Sequence, residues 1–258
     1  MTIHALWTAA TGMEALKFKV NVIANNLANS STNGFKRSTV DFDDILYQYL
    51  KQPGTDSPTG ISVGLGTKVA GTTIQHIQGP LITTENNLDW AVNGEGFFQV
   101  LNPISGQTTY TRNGAFQIDN QGNIIDANGY FVQPQVTIPP GSTSFHIGID
   151  GVVYAQLPGA LTLTQIGKVQ LSRFNNPAGL QAVGSSNFQK TAASGDPTLG
   201  DPMTEGFGQI IGRSLEASNV EIVTEMVDLV ATQKAYDTSS KVVTTADKMG
   251  DTANGLVR

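Results

Sequence analysis

The chain has 258 residues, of which 39% are hydrophobic and 14% charged, and a net charge of −6 at neutral pH. That length allows one large domain or two ordinary ones, each with its own core. The acidic balance argues against nucleic acid as a partner, because Lys17/Lys19 and Lys36/Arg37 are the only basic doublets. Without a cysteine the chain can form no disulfide, thiol nucleophile or thiolate-bound zinc site. The sparse charge leaves a surface rich in Thr, Asn, Gln, Ser and Gly, which suits close stacking of subunits without desolvation of charges.

Met1 to Phe18 does not read as a secretory leader, since no basic segment precedes the apolar stretch and Glu14 and Lys17 interrupt it. No run reaches the roughly 18 apolar residues of a membrane span. Instead Leu6, Ala9, Met13, Leu16, Val20, Ile23 and Leu27 recur by threes and fours, which predicts a helix from about Ile3 to Ser30. Asn25, Asn26, Asn29 and the run from Ser30 to Gly34 are expected to end it. Asp41 to Leu50 fits a helix or a strand, with Phe42, Ile45, Leu46 and Tyr49 at helical spacing. Gln52 to Gly66, with Pro53, Pro58 and its glycines, reads as an irregular surface excursion.

From Thr67 to Leu180 the period changes to two. Short strands are expected at 69–78, 88–92, 97–101, 115–118, 123–125 and 129–138. Asp119-Asn120-Gln121-Gly122 and the two-residue turn Asp150-Gly151 each separate a pair of apolar runs as hairpins. Asn175 to Pro202 reads as a second irregular connector. A C-terminal helix follows, announced by the capping box Ser218/Glu221 and striped by Ile222, Met226, Leu229, Tyr236 and Val243.

These elements predict an α+β fold. A discontinuous helical domain pairs the N- and C-terminal helices (1–35 with 216–258), connectors span 36–66 and 181–215, and a central antiparallel β-rich domain covers 67–180. Each stripe runs about 40 to 50 Å at 1.5 Å per residue and needs a partner surface of similar length, which is the layout of a subunit that polymerises.

Chemistry-bearing motifs do not emerge. His4, His76 and His146 stand alone, with no ligand-spaced partner, and no metal or cofactor is expected. Gly94-Glu95-Gly96 is half a dinucleotide fingerprint but leads into a strand, and so reads as a tight turn. Asp43/Asp44 diverge as sequential neighbours, and Glu221/Glu225 fit the exposed face of the C-terminal helix. The chain is therefore read as a non-enzyme.

Ala24-Asn25-Asn26-Leu27-Ala28-Asn29, followed by Thr32-Asn33-Gly34-Phe35-Lys36-Arg37, resembles the N-terminal signature of the bacterial flagellar rod and hook family. Asn93 to Val100 and Tyr110 to Phe116 resemble its central β-motifs. Glu216 to Val220, and Glu225-Met226-Val227 with Gln233 and Tyr236, resemble its C-terminal helix motif. The resemblance implies a helical polymer of the chain with itself, lodged in the flagellar basal body where the rod spans the periplasm, and reached by type III export without a cleaved signal. It further implies contacts with proximal rod subunits, hook subunits, the P- and L-ring proteins and the export apparatus. Phe42 to Gln48, continuing into Gln52-Pro53-Gly54, and the modest length resemble a rod subunit more than the larger hook subunit of the family. A stretch after the first helix is implied to stiffen the shaft, here Tyr47, Gln52, Pro53, Gly54, Pro58, Gly60, Gly64 and Gly66. Two alternatives stay open: a proximal rod or hook subunit of the same family, or a glycan-binding adhesive β-domain with helical oligomerisation ends.

Overall fold

A computed structural model describes residues 2–51, 59–142, 144–157, 162–204 and 206–256. The chain divides into two compact units: residues 1–28, 38–74 and 221–258 form the first, and residues 29–37 with 75–220 the second. Two terminal helices flank an antiparallel, strand-rich middle, and the fold is α+β as expected.

In the first unit, α1 (Thr2–Ala28) packs against α2 (Ile222–Leu256). The N-terminal helix stops at Ala28, within the Asn-rich run. Gly34 lies six residues further on and does not itself terminate the helix. The capping box does not form, because Ser218 Oγ accepts the Val220 N–H at 3.3 Å and the Glu221 carboxylate accepts the Thr224 hydroxyl at 2.9 Å. Strand β1 (Ser38–Asp44) pairs with a later strand, and β2 (Tyr47–Lys51) pairs with β3 (Ile61–Gly64). The partner of β1 is β4 (Thr67–Ile74), with a register shift between Asp41 and Phe42. Asp41 to Leu50 is thus extended rather than helical, and the far end of the expected surface excursion is a strand. Tyr47, Tyr49 and the β-branched Ile61 and Val63 favour the pleated conformation over the helix that the spacing of Phe42 to Tyr49 suggested.

In the second unit, a nine-stranded antiparallel sheet is centred on Phe97–Leu101, which pairs with Thr108–Thr111, Phe131–Gln133 and Leu171–Arg173. The hairpin at Asp119–Gly122 forms, with Ile118 opposite Ile124. Around Asp150-Gly151 the turn is wider than two residues: Gly148 N–H bonds Val152 O, and Ile147 faces Val153. The supposed connector 175–202 also carries strands. Gln181–Gly184 pairs with Asn187–Gln189, and Thr198–Gly200 pairs with Leu171–Arg173. Its prolines lie outside these strands, Gly184 and Gly200 end two of them, and the strands are too short to show a period of two.

Trp90, Phe98, Phe116, Ile124, Leu171 and Ile210 form the heart of the core, each at most 1% exposed. Phe116 meets Trp90 and Phe98 edge-on, with ring centroids 5.3 and 5.2 Å away. Each such side chain contributes about 1.5–3 kcal/mol of burial. Gly114 makes this packing possible, since a Cβ there would lie 1.6 Å from Trp90 O, the residue whose N–H donates to Gly114 O.

Candidate functional site

The α1–α2 seam is built of small and polar residues more than of large apolar ones. Ala9, Ala15, Ile23 and Asn26 are buried on α1. On α2 the buried or half-buried positions 225, 229, 232, 239, 243, 246 and 250 recur at coiled-coil spacing. Glu225, expected on the exposed face, is fully buried. The Asn26 amide donates to the Glu225 carboxylate at 3.2 Å and to Ser38 O at 2.9 Å, and Asn26 Oδ1 accepts the Ser38 N–H at 3.0 Å. This polar latch fixes the helix pair against the start of β1, as a buried Asn fixes register in a coiled coil.

The stripe residues divide accordingly. Ile23 is buried, and Leu6, Met13, Leu16, Val20, Leu27, Leu229 and Val243 are half-buried. Ile222, Met226 and Tyr236 are exposed, at 45%, 50% and 40%. With Val223, Val227 and Val230 they leave an apolar face on α2 that no described residue of the first unit covers, and Trp7 and Phe18 are similarly bare on α1. Of the proposed stiffening residues, Tyr47 is exposed, and Gly60, Gly64 and Gly66 are described. Gln52, Pro53, Gly54 and Pro58 lie outside the described residues.

Within the second unit, three sequence motifs converge on one carboxylate. Glu216, at the end of strand Ser214–Glu216, is fully buried. Lys36 Nζ binds its Oε1 at 2.5 Å and Arg112 binds its Oε2 at 3.2 Å, while the Gly79 N–H donates to Oε1 at 2.9 Å. Gly34 N–H donates to Glu216 O, and its φ of 69° lets it press against Asn113, where a Cβ would stand 2.5 Å from the backbone nitrogen. Only glycine fits that approach. Burial pulls the Lys36 ammonium below its ordinary pKa and Glu216 opposes this; Arg112 is lowered for the same reason, with the same opposing partner.

The remaining motif residues build the turn that delivers Lys36. Asn29 Oδ1 accepts the Thr32 hydroxyl, Thr32 O accepts the Phe35 N–H, and Asn33 O accepts the Ser186 hydroxyl. Asn25 is exposed on α1. Sequence reading missed Arg112, Glu216 and Glu225 as a group. Arg112 stands within a long run of otherwise uncharged residues, the one signal that marks it as a buried charge; Glu216, with Arg213 three residues before it, carries no such signal.

His76 lies beside this cluster, edge-on to Phe97 and Phe188 at 5.5 and 5.0 Å. Burial, then the charges of Lys36 and Arg112, lower its pKa to about 4, with the Pro177 carbonyl and Glu216 opposing. The unfolded chain takes up this proton near pH 6.5 and the folded chain does not, so stability is full above 6.5 and falls as the pH drops toward 4. The expected slope is at most about 1.4 kcal/mol per pH unit. Urea titrations across pH 7 to 4 measure it, and His76→Phe should flatten the curve; an unchanged slope in that variant refutes the assignment.

A helix pair with a bare apolar face and a β-body closed on buried ion pairs make a structural subunit, and the comparisons name its kind. Family models described as "Flagella basal body rod protein", "Flagellar hook protein FlgE/F/G D1 domain" and "Flagellar basal body rod FlgEFG protein C-terminal" match residues 6–36, 91–155 and 212–256. The chain is 42% identical to flagellar basal-body rod protein FlgG of Caulobacter vibrioides and 41% identical to that of Buchnera aphidicola subsp. Baizongia pistaciae. Each alignment covers 96% of this chain and 97% of the relative. The same protein of Bacillus subtilis is 31% identical over 96% of both chains. The chain belongs to the FlgG family of flagellar basal-body rod proteins.

Proposed function

We propose that the chain is a non-catalytic structural subunit of the flagellar distal rod, assembling with itself into a rigid hollow shaft that carries motor torque across the periplasm to the hook. Its axial neighbours are proximal rod and hook subunits, its surroundings the P- and L-ring proteins, and its route the flagellar export apparatus. The observation that carries this reading is the bare face of Ile222, Val223, Met226, Val227 and Val230 on a helix whose opposite side is already occupied. Apolar surface of this kind is stabilised by about 25 cal/mol per Å2 once covered, and a contact between different patches whose rotation does not close yields an open helical polymer. Electron microscopy of isolated basal bodies with this chain labelled tests the reading. Label along the rod supports it, and label confined to the hook overturns it.

The paired strands β2 and β3, with residues 52–60 between them in sequence, are the proposed stiffening element. Leu46, Tyr49, Leu50 and Ile61 are each more than half exposed, an unusual apolar load for an isolated two-stranded ribbon. Wedged between axial neighbours, it would restrict sliding. Deleting residues 53–64 is expected to leave the rest of the fold intact and give curved shafts in electron micrographs. Straight shafts of unchanged stiffness would remove the segment from the mechanism.

A further inference from the structure

Within the first unit a second apolar surface stands open besides the bare face of α2. A groove of about 750 Å3 lies between the start of α1, the paired strands β2 and β3, and the middle of α2. Ala5, Thr8, Leu50, Val63, Ser239 and Val242 line it, and among the described residues its wall holds no Asp, Glu, Lys or Arg. Leu50 is 65% and Val242 46% exposed, so the apolar walls are open rather than filled by the described residues. An opening of this size takes several side chains at once.

The bare face of α2 has the pattern that fills such an opening. Val223, Met226, Val227 and Val230 fall at i, i+3, i+4 and i+7, the anchor spacing by which a helix lays its apolar face into a groove. All four are at least half exposed, and none carries a charge that the uncharged wall would leave unpaired. They cannot reach the groove of their own chain, because the ridge sits about 20 Å along the same continuous helix from Ser239 and Val242, at 1.5 Å per residue.

We propose that the groove receives the ridge from Val223 to Val230 of a second copy of the chain. The proposal rests on the self-assembly put forward above and names the surface that the ridge meets. Ridge and groove are different patches, so the contact is heterologous: each copy added leaves one ridge and one groove free, the condition for an open polymer. Met226, unbranched among three valines, adapts the ridge to an irregular wall. The seated helix also presses on Leu50 and Val63, so the strands assigned to stiffening form one wall of the contact.

The chain has no cysteine, so introduced thiols report alone. Val227→Cys and Val242→Cys are combined in one chain, expressed in flagellated cells as their only copy of the protein. Isolated basal bodies are then treated with a short bismaleimide, because a disulfide demands a closer Cβ approach than the seating of a helix guarantees. The double variant is expected to give a ladder of dimers, trimers and longer species, the two single variants expressed together dimers only, and either single variant alone no cross-link. Dimers from one single variant alone mean that like patches meet, and overturn the proposal. Rods that contain the chain but give no cross-link between positions 227 and 242 overturn it while leaving self-assembly intact; absence of the chain from the rod overturns both. In the dilute full-length monomer, Val242→Cys should react with a small maleimide at a rate within about tenfold of Val227→Cys, and slower labelling means that the chain's own residues fill the groove, which also overturns the proposal.

Discussion

Glu216→Ala is expected to destabilise the protein by about 3–5 kcal/mol, the usual result of stripping the partner from buried charges. Lys36 and Arg112 are 3% and 5% exposed, and the variant would leave both without their carboxylate. The Gly79 N–H would lose its acceptor as well. Glu216→Gln keeps the volume and an oxygen for Gly79 but no charge, so an intermediate loss is expected. The measurement is urea unfolding followed by tryptophan fluorescence, because Trp90 is fully buried in the second unit while Trp7 is exposed on α1. A loss under about 1 kcal/mol in Glu216→Ala, within the range of an exposed ion pair, would show that the hub does not hold the unit together. Replacing all three charges by apolar residues of similar size can be nearly neutral.

How much of this was legible depended on the length of each signal. The helices were plain because seven apolar residues over α1 and five over α2 repeat the helical period many times. The strands at 97–101 and 124–125 were readable from short apolar runs between turn residues. Those at 181–184, 187–189 and 198–200 were not, since three or four residues rich in Gly, Asn and Gln hold no period. Faces were harder than elements. A stripe wide enough for two partners does not say which side faces α1, and Ala15 and Ala246, outside the expected stripes, are buried while Leu6, Met13, Leu16 and Leu229 are only half-buried. Glu225 looked like an ordinary surface acid because its partner Asn26 lies 199 positions away. The Glu216 hub was hidden for the same reason, its cations being 180 and 104 positions distant.

The division of the α2 stripe makes the second large effect specific. Val227 is 63% exposed in the monomer, and Leu229, two residues on, is half-buried in the seam. Val227→Asp should therefore change the stability of the monomer by no more than about 0.5 kcal/mol, as exposed substitutions do. In the polymer the same carboxylate would be sealed against an apolar neighbour with no partner, costing several kcal/mol at every subunit, and assembly should stop. Leu229→Asp should fail earlier, by separating α1 from α2 in the monomer. Circular dichroism reads the helix pair, and sedimentation with electron microscopy reads the polymer. Normal rods from Val227→Asp would mean that the bare face of α2 is not where subunits meet. Loss of helicity in that variant, by contrast, would mean that Val227 belongs to the seam after all.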